Sequence, residues 1–391
     1  MYWAADLPHA NGVDALQIYR SPGKSQAWVA GVDGALGQVH GSSYGFSSVA
    51  GIASVGEYLE RRHLTFNVRD DGTMRLSAFA RELPSLREAL DQTSLDPLDG
   101  CDPLLSATMA FGLADWQQVA VPWGLVSLAK GKCVDDRRVM PHMDSSGAAA
   151  HTSASAALDA ALLEFVERQV WVAFWLGGGR AREIEASVTA WSEGVGSLDE
   201  IGGEFRAFRL DADLAAYTVF CFHVDRQVDG TASFSCGLAA SLSPGEAFSR
   251  AKREMLHYRQ FAEEKSVALA ADAPSVGRLD RNAGLFQSRE FRDVLMLRQV
   301  LPERISLDDF IGLDAISHKD LKRSLLGVGP LFAYLGYEVS ELGEFHVVRV
   351  CSPSFYLHCD PGVRLNFDNA FARRLGIADP SSRLRIPTCL P

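Results

Sequence analysis

The stretch "SSGAAAHTSASAALDAALLEFVERQVWVAFWLGGG", Ser145 to Gly179, decides how this chain folds. Small and hydroxyl residues lead into a long apolar run that Gly177 to Gly179 end, the start and stop signals of a long helix. Inside it, "LLEFVERQ" (Leu162 to Gln169) sets Glu164, Glu167 and Arg168 among Leu162, Leu163, Phe165, Val166, Val170 and Trp171. An ionised carboxylate loses its water on burial and needs a partner in exchange. A hundred residues earlier "GEYLERRH" (Gly56 to His63) repeats the device with Glu57, Glu60 and Arg61.

Residues three or four apart share a helix face, so each Glu-Glu-Arg triplet projects as one group. Taken singly, such a triplet describes acids neutralised by their own arginine or lying on an exposed edge. Its twofold recurrence puts a second reading level with the first, one in which four carboxylates converge on Mg²⁺ bridging nucleotide phosphates and the arginines reach phosphate oxygens. The loop "SSGAAAHTS" offers hydroxyls and free N–H groups to a nucleotide, and it reads equally as a tight turn. A third helix carries Arg250 and Glu254 on one face, where Glu246, Arg250 and Glu254 at i, i+4 spacing also describe a solvated, ion-paired surface. "SPGKS" (Ser21 to Ser25) lacks the upstream glycine of a phosphate loop, and "GGGR" at Gly177 follows a helix instead of preceding one.

With 391 residues, 47% hydrophobic and 22% charged, the chain has ample material for a core. A net charge of -11 disfavours nucleic acid, so an anionic ligand would be held largely through metal ions. The seven cysteines are scattered and form no C-x-x-C pair, so neither a disulfide framework nor a thiolate zinc site is indicated. "VWVAFWLGGG" is too short to cross a bilayer, and the N-terminus lacks a secretory pattern, so a cytoplasmic protein without membrane association is expected.

Three blocks of mixed α and β structure follow from patterning. Gly/Ser-rich loops (Gly41 to Ser48) lead to a helix ending near Arg62, then a hairpin with "RDDG" (Arg69 to Gly72) as its turn. The second block runs from strand-like "QQVAVPWGLVSLAK" through the long helix to two paired strands, "AAYTVFCFHVD" and "TASFSCGLAAS". It closes with a helix started by Ser243, Pro244 and Glu246 as a capping box. The third block, Ala262 to Glu344, reads as mostly helical with a cap at Ser306 to Asp309, before strand-like "FHVVRVCSPSFYLHC" and an irregular tail ending "PTCLP".

"SSVAGIASVGEYLERR", "SSGAAAHTSASAALDAALLEFVERQ" and "GLAASLSPGEAFSRAKREMLHYRQ" resemble, in order and separation, the three ATP-site motifs of the YcaO family. The late "VCSPSFYLHCDPGVRLNFDN" extends the likeness to the azole-forming cyclodehydratases within it. The resemblance implies an α+β fold, sheets flanked by helices around a central ATP/Mg cleft, as one domain over 1–391 with residues 1–40 as an N-terminal segment. It implies Glu57, Glu60, Glu164 and Glu167 as Mg²⁺ ligands. Arg61 and Arg168 would contact phosphate, Ser145, Ser146 and Thr152 would line the nucleotide pocket, and Arg250 and Glu254 would face the same cleft. Thr152 and Ala156 depart from the asparagine and acid common there, and His257 from a frequent glutamine. The tail 380–391 would reach the active site, where the Pro391 carboxylate would act as base; Pro387 and Pro391 fit a P-x-P-x-P ending and Cys389 departs from it. The implied activity is ATP-dependent conversion of Cys, Ser or Thr in a ribosomally made precursor peptide to azolines. The expected partners are that peptide, a separate E1-like leader-binding subunit and an FMN-dependent dehydrogenase. Thioamide or macrocyclic amidine formation and a non-catalytic scaffold are the alternatives.

Overall fold

The computed structural model describes residues 2–377 except 10–11, 21–25, 34–36, 45–47, 130, 143, 186–203, 227–231, 270–302, 341–342 and 361–362. The tail calls on Pro387, Cys389 and Pro391 and the "SPGKS" stretch lie outside the described residues, as does the side chain of His257.

Three sheets carry the fold. Strands β1 (Tyr2–His9), β2 (Gly12–Arg20), β3 (Gln26–Asp33) and β4 (Gly37–Tyr44) form an antiparallel meander. In the second sheet the order is β5 (Thr73–Arg75), β6 (Leu104–Gly112), β14 (Phe332–Ser340), β15 (Gly343–Cys351) and β8 (Ala148–His151), with β7 (Gln118–Pro122) also paired to β6. The third runs β12 (Ala232–Ser241), β11 (Tyr217–Arg226), β10 (Glu204–Asp211), β9 (Arg180–Glu185) and β13 (Arg304–Ser306), antiparallel except for β13 on β9.

Helix α5 (Ala154–Trp175) joins the second and third sheets. Ser153 caps it by accepting from Ala156 N, and Gly177 and Gly179, both at positive φ, turn the chain out of it. Because it is apolar on nearly every side it can be buried all round. It packs on β8 and β15 in one direction and on β10, β11 and β12 in the other. Phe165 meets Phe355 at 5.0 Å and Trp171 meets Phe220 of β11 at 4.8 Å between ring centroids. Helix α1 (Ser48–Arg62) packs on β4, β8 and β15, and α6 (Pro244–Leu269) lies along β11 and β12. Gly237 makes the last contact possible, since a Cβ there would collide with the α6 backbone at Ala251 and Met255. Among the described residues no helix is long and apolar enough to cross a membrane.

The long helix, the β11–β12 pair and the Ser306 cap, where Ser306 Oγ accepts from Asp309 N, form as the sequence predicts. Four readings change. Gly41 to Tyr44 finish β4, because pairing to Gln26–Val29 of β3 outweighs their weak strand propensity. Arg69 to Gly72 is no hairpin turn: the chain leaves α1 through a π-helical turn at His63–Asn67 and then adds β5 to the distant β6. Phe332–Ser340, inside the block read as mostly helical, is a strand between β6 and β15. At the start of α6, Glu246 accepts from Ser241 Oγ at 2.7 Å, so the acid of the expected capping box is turned to the end of β12.

Candidate functional site

The predicted acids and arginines lie on α1, α5 and α6, where Glu60 interacts electrostatically with Glu164 and Arg168, and Glu167 with Glu254. On α1, Glu57 and Arg61 pair at 2.7 Å and stay partly exposed, while Glu60 is buried. The helix is pinned just beyond them. Arg62 Nη1 donates to Glu338 Oε1 at 2.6 Å, His63 Nδ1 lies 2.9 Å from Glu338 Oε2, and Asn67 Nδ2 donates to the same carboxylate. His63 Nε2 also meets Tyr334 Oη at 3.0 Å, so α1 is fastened to β14 by buried polar bonds.

On α5, Arg168 Nε lies 3.5 Å from Glu167 Oε1 and 3.9 Å from Glu164 Oε1. The other Glu167 oxygen accepts from Ala240 N at 3.1 Å, and Glu254 of α6 accepts from Leu238 N at 2.7 Å. β12 is an edge strand, and residues 238 and 240 present their N–H groups on its unpaired side. Two site acids therefore close the sheet edge. Arg250 Nη1 donates to Ala240 O at 3.4 Å, completing the contact from α6.

Crowding of buried acids shows in their protonation. Burial pushes Glu60 up to about 8, with Glu57 adding to the effect and Arg61, Arg349 and Arg168 opposing it. Burial, then the Glu60 and Glu167 charges, holds Glu164 well above the usual carboxylate range. Burial also raises Glu167 against the arginines Arg168 and Arg250, and takes Glu254 to about 7. For Arg168 burial opposes the charge, but Glu167 and Glu164 outweigh it and bind the proton more firmly. Glu60 and Glu164 sense each other across two helices, which is the convergence the sequence spacing alone could not establish.

The family model described as YcaO cyclodehydratase, ATP- and Mg²⁺-binding, matches residues 46–356. The chain belongs to the YcaO family. Over 330 residues it is 22% identical to the microcin B17-processing protein McbD of Escherichia coli, covering 81% of this chain and 82% of the relative. Its fold is similar to that in the E. coli microcin synthetase McbBCD complex, with a TM-score of 0.79 at 20% identity, covering 98% of this chain and 97% of that one. The same complex with pro-MccB17 bound gives 0.76 at 19% identity, covering 95% and 94%. YcaO from Methanopyrus kandleri, bound with AMPPCP and Mg²⁺, gives 0.53 at 18%, covering 90% and 85%.

The residues present suit the YcaO ligands. Glu60 and Glu167 are buried and Glu164 half-buried, the negative form of each is disfavoured, and a divalent cation among them would restore it. Arg61 lies against Glu57 and Arg168 against Glu164 and Glu167, and among the described residues no three acid, histidine or cysteine side chains are gathered closely enough to ligate one ion. Binding would thus require the arginines to exchange carboxylate for phosphate.

The loop before α5 is built differently from its sequence reading. Ser145 uses its carbonyl to accept from Ala148 N in a tight turn, and Gly147, at φ +74, lies where a Cβ would press on Val350 O and Phe165. Ser146 Oγ contacts Cys359 Sγ, and Thr152 is exposed with its hydroxyl 3.4 Å from His151 Nδ1. Neither Ser145 nor Thr152 is brought against the acids by a side-chain contact. Three residues missed by sequence reasoning border the site instead. Asp144 accepts from Cys359 N at 2.6 Å and Ser146 N at 3.0 Å; burial would raise its carboxyl, but Arg349, His358 and these N–H groups hold it below the usual range. Arg349, 4% exposed on β15, is the third after Asp144 and Cys359. A single charge within "VVRVC" was its available signal; Asp144 and Cys359 had none, being joined only by the fold.

Proposed function

We propose that this YcaO protein is the ATP-dependent cyclodehydratase of an azole-forming synthetase, acting on Cys, Ser or Thr residues of a ribosomally made precursor peptide. The interaction of Glu60 on one helix with Glu164 and Arg168 on another, beside Glu167, carries the reading. The microcin-processing relative gives it its substrate class.

In this reaction the substrate thiol or hydroxyl adds to the preceding amide carbon, and the former carbonyl oxygen takes the γ-phosphoryl group of ATP, releasing ADP. Elimination then breaks the C–O bond: phosphate departs with the electron pair, the amide nitrogen loses its proton, and the ring C=N forms. Phosphate is a far better leaving group than oxide, which is why ATP is needed. Phosphoryl transfer depends mostly on positioning and charge neutralisation. Glu57, Glu60, Glu164 and Glu167 would hold Mg²⁺, which when bound neutralises phosphate charge. Arg61 and Arg168 would orient phosphate oxygens, with Arg250 and Glu254 fixing the β12 side of the cleft and the loop at Ser145, Ser146 and Thr152 flanking the nucleotide. The Pro391 carboxylate is our choice of base, reached by the tail 380–391 of a single domain spanning 1–391. The protein would work in the cytoplasm with an E1-like leader-binding subunit and an FMN-dependent dehydrogenase.

The test is mass spectrometry of precursor peptide incubated with ATP, Mg²⁺ and the partner subunits, where each ring formed removes one water. Wild type should show ATP-dependent loss, abolished by Glu164→Gln and by removal of Leu390 and Pro391. An intact assembly without mass loss would make the chain a scaffold, and unchanged turnover in Glu164→Gln would remove that acid from the metal site.

A further inference from the structure

We propose that the open edge of β14, Leu335 to Val339, is a docking site for a β-strand of another protein subunit, which lengthens the second sheet by one strand. The inference rests on the cyclodehydratase reading only for the existence of subunits that assemble with this chain.

β14 is paired to β15 along its whole length but meets β6 only at Phe332 and Ala333. It parts from β6 there because the chain at Asp71 and Gly72 takes its place: Gly72 O accepts from Ala107 N at 2.8 Å, and Asp71 Oδ2 accepts from Met109 N at 3.1 Å. Leu331 O accepts from Leu113 N on the β6 side, and Val350 N of β15 donates to Gly147 O on the β8 side. Backbone direction alternates along a paired strand, so the odd-numbered residues of β14 turn their N–H and C=O groups away from β15. Beyond Ala333, those groups of Leu335, Tyr337 and Val339 meet no backbone partner among the described residues. The same three residues carry their side chains into solvent, 41%, 50% and 65% exposed. Tyr334, Gly336 and Glu338 between them point to the opposite face, which the end of α1 covers: His63 meets Tyr334 and Glu338, and a Cβ at Gly336 would collide with its imidazole.

Soluble proteins ordinarily guard such an edge with a lysine, a proline, a bulge or a covering loop, because it pairs with whatever strand it meets. Here the outward residues are Leu335, Tyr337 and Val339, strong strand formers with neither charge nor proline among them. Open backbone groups specify an extended chain as the occupant, since a strand offers donors and acceptors at the matching repeat. The exposed side chains beside them specify apolar residues at alternate positions of that strand. A second copy of this chain does not fit. Antiparallel pairing of two such edges about Tyr337 sets them about 4.8 Å apart, while the His63–Asn67 turn of each copy covers the same face and a helical turn needs about 10 Å. A substrate peptide, present only during turnover, leaves the edge open the rest of the time. The occupant is therefore a strand of a subunit that stays bound.

Hydrogen exchange on the full wild-type chain, alone and assembled with the E1-like and dehydrogenase subunits, tests this residue by residue. In the chain alone the amides of Leu335, Tyr337 and Val339 should exchange fast, and those of Tyr334, Gly336 and Glu338 slowly, because β15 already binds the even set. Assembly without precursor peptide should slow the three odd amides at least about tenfold and leave the even ones nearly as they were. Tyr337→Lys sets a charge on the exposed face, and Val339→Pro removes an N–H from the open edge and none from the β15 ladder. Each should weaken assembly at least about tenfold in sedimentation of the mixed subunits, with the melting temperature of the chain alone close to wild type. Odd amides that stay open in an intact assembly would overturn the proposal, as would full-strength assembly by both variants. So would protection that appears only on adding precursor peptide, protection with a doubled mass in the chain alone, or a wild type that does not assemble. If the subunits protect the edge but no ring forms, the cyclodehydratase reading fails and the docking site stands. If rings form while the odd amides stay open, the reverse holds.

Discussion

Replacing Glu338 by alanine should loosen the C-terminal end of α1 by removing the carboxylate that the buried Arg62 binds. Glu338 is 6% exposed and Arg62 1% exposed, and their contact at 2.6 Å is supplemented by His63 and Asn67 on the same carboxylate. Removing one partner of such a pair typically costs about 3–5 kcal/mol, because the other charge stays buried and uncompensated. That is a large fraction of the roughly 5–15 kcal/mol that holds a domain folded. Glu338→Gln keeps the volume and an acceptor and should cost less, about 1–3 kcal/mol. Arg62→Met with Glu338→Ala should recover much of the loss, since neither charge then remains. The loss should also reach function, because Glu57, Glu60 and Arg61 occupy the turn before Arg62, and Mg²⁺·ATP should bind Glu338→Ala more weakly. Urea unfolding of Glu338→Ala, Arg62→Met and the double variant gives the cycle, repeated across acid pH. Burial alone would raise the Glu338 carboxyl, but the bonds from His63 and Asn67 and the Arg62 charge hold it below its usual 4.5. A depressed folded pKa stabilises above the unfolded value and is lost as pH falls through the folded one. The gap between wild type and Glu338→Ala should therefore narrow below pH 4.5. A cost under about 1 kcal/mol for Glu338→Ala, or strict additivity in the double variant, would refute the account.

Glu60 gives the opposite sign. Its carboxyl rises from 4.5 to about 8 on folding, so the folded chain binds more protons through that window and the unliganded protein loses stability as pH increases across it. Glu60→Gln should flatten that loss in thermal melts between pH 5 and pH 8 (about three pH units of buffer range,); a wild-type curve rising over the same window would contradict the assignment. Gly237→Ala should push α6 away from β12 and break the bond from Leu238 N to Glu254, costing about 1–3 kcal/mol in denaturant unfolding and weakening nucleotide binding. An unaltered midpoint would show that α6 can shift without harm.

Local signals in the sequence were enough for the elements that carry the site. Ser153, the apolar run and Gly177 to Gly179 mark α5 from end to end, and the spacing of Glu164, Glu167 and Arg168 puts them on one face. The two acidic helices and their arginines were likewise legible, because a charge inside an apolar segment conflicts with its surroundings and must have a purpose. Phe332–Ser340 was read as helix because its neighbours in the sheet, β6 and β15, include a strand more than two hundred residues away, which no local window contains.

Composition and spacing thus determined which side chains carry charge into the interior and which of them share a helix. Only the tertiary structure decided that charges on α1, α5 and α6 act on one another, that β12 spends an oxygen each from Glu167 and Glu254 on its open edge, and that Nε and Nη1 of Arg349 lack hydrogen-bond partners among the described residues. The physical reason is range: helix faces and caps are set by residues within a turn or two, whereas burial, desolvation and charge between helices arise when distant segments pack together.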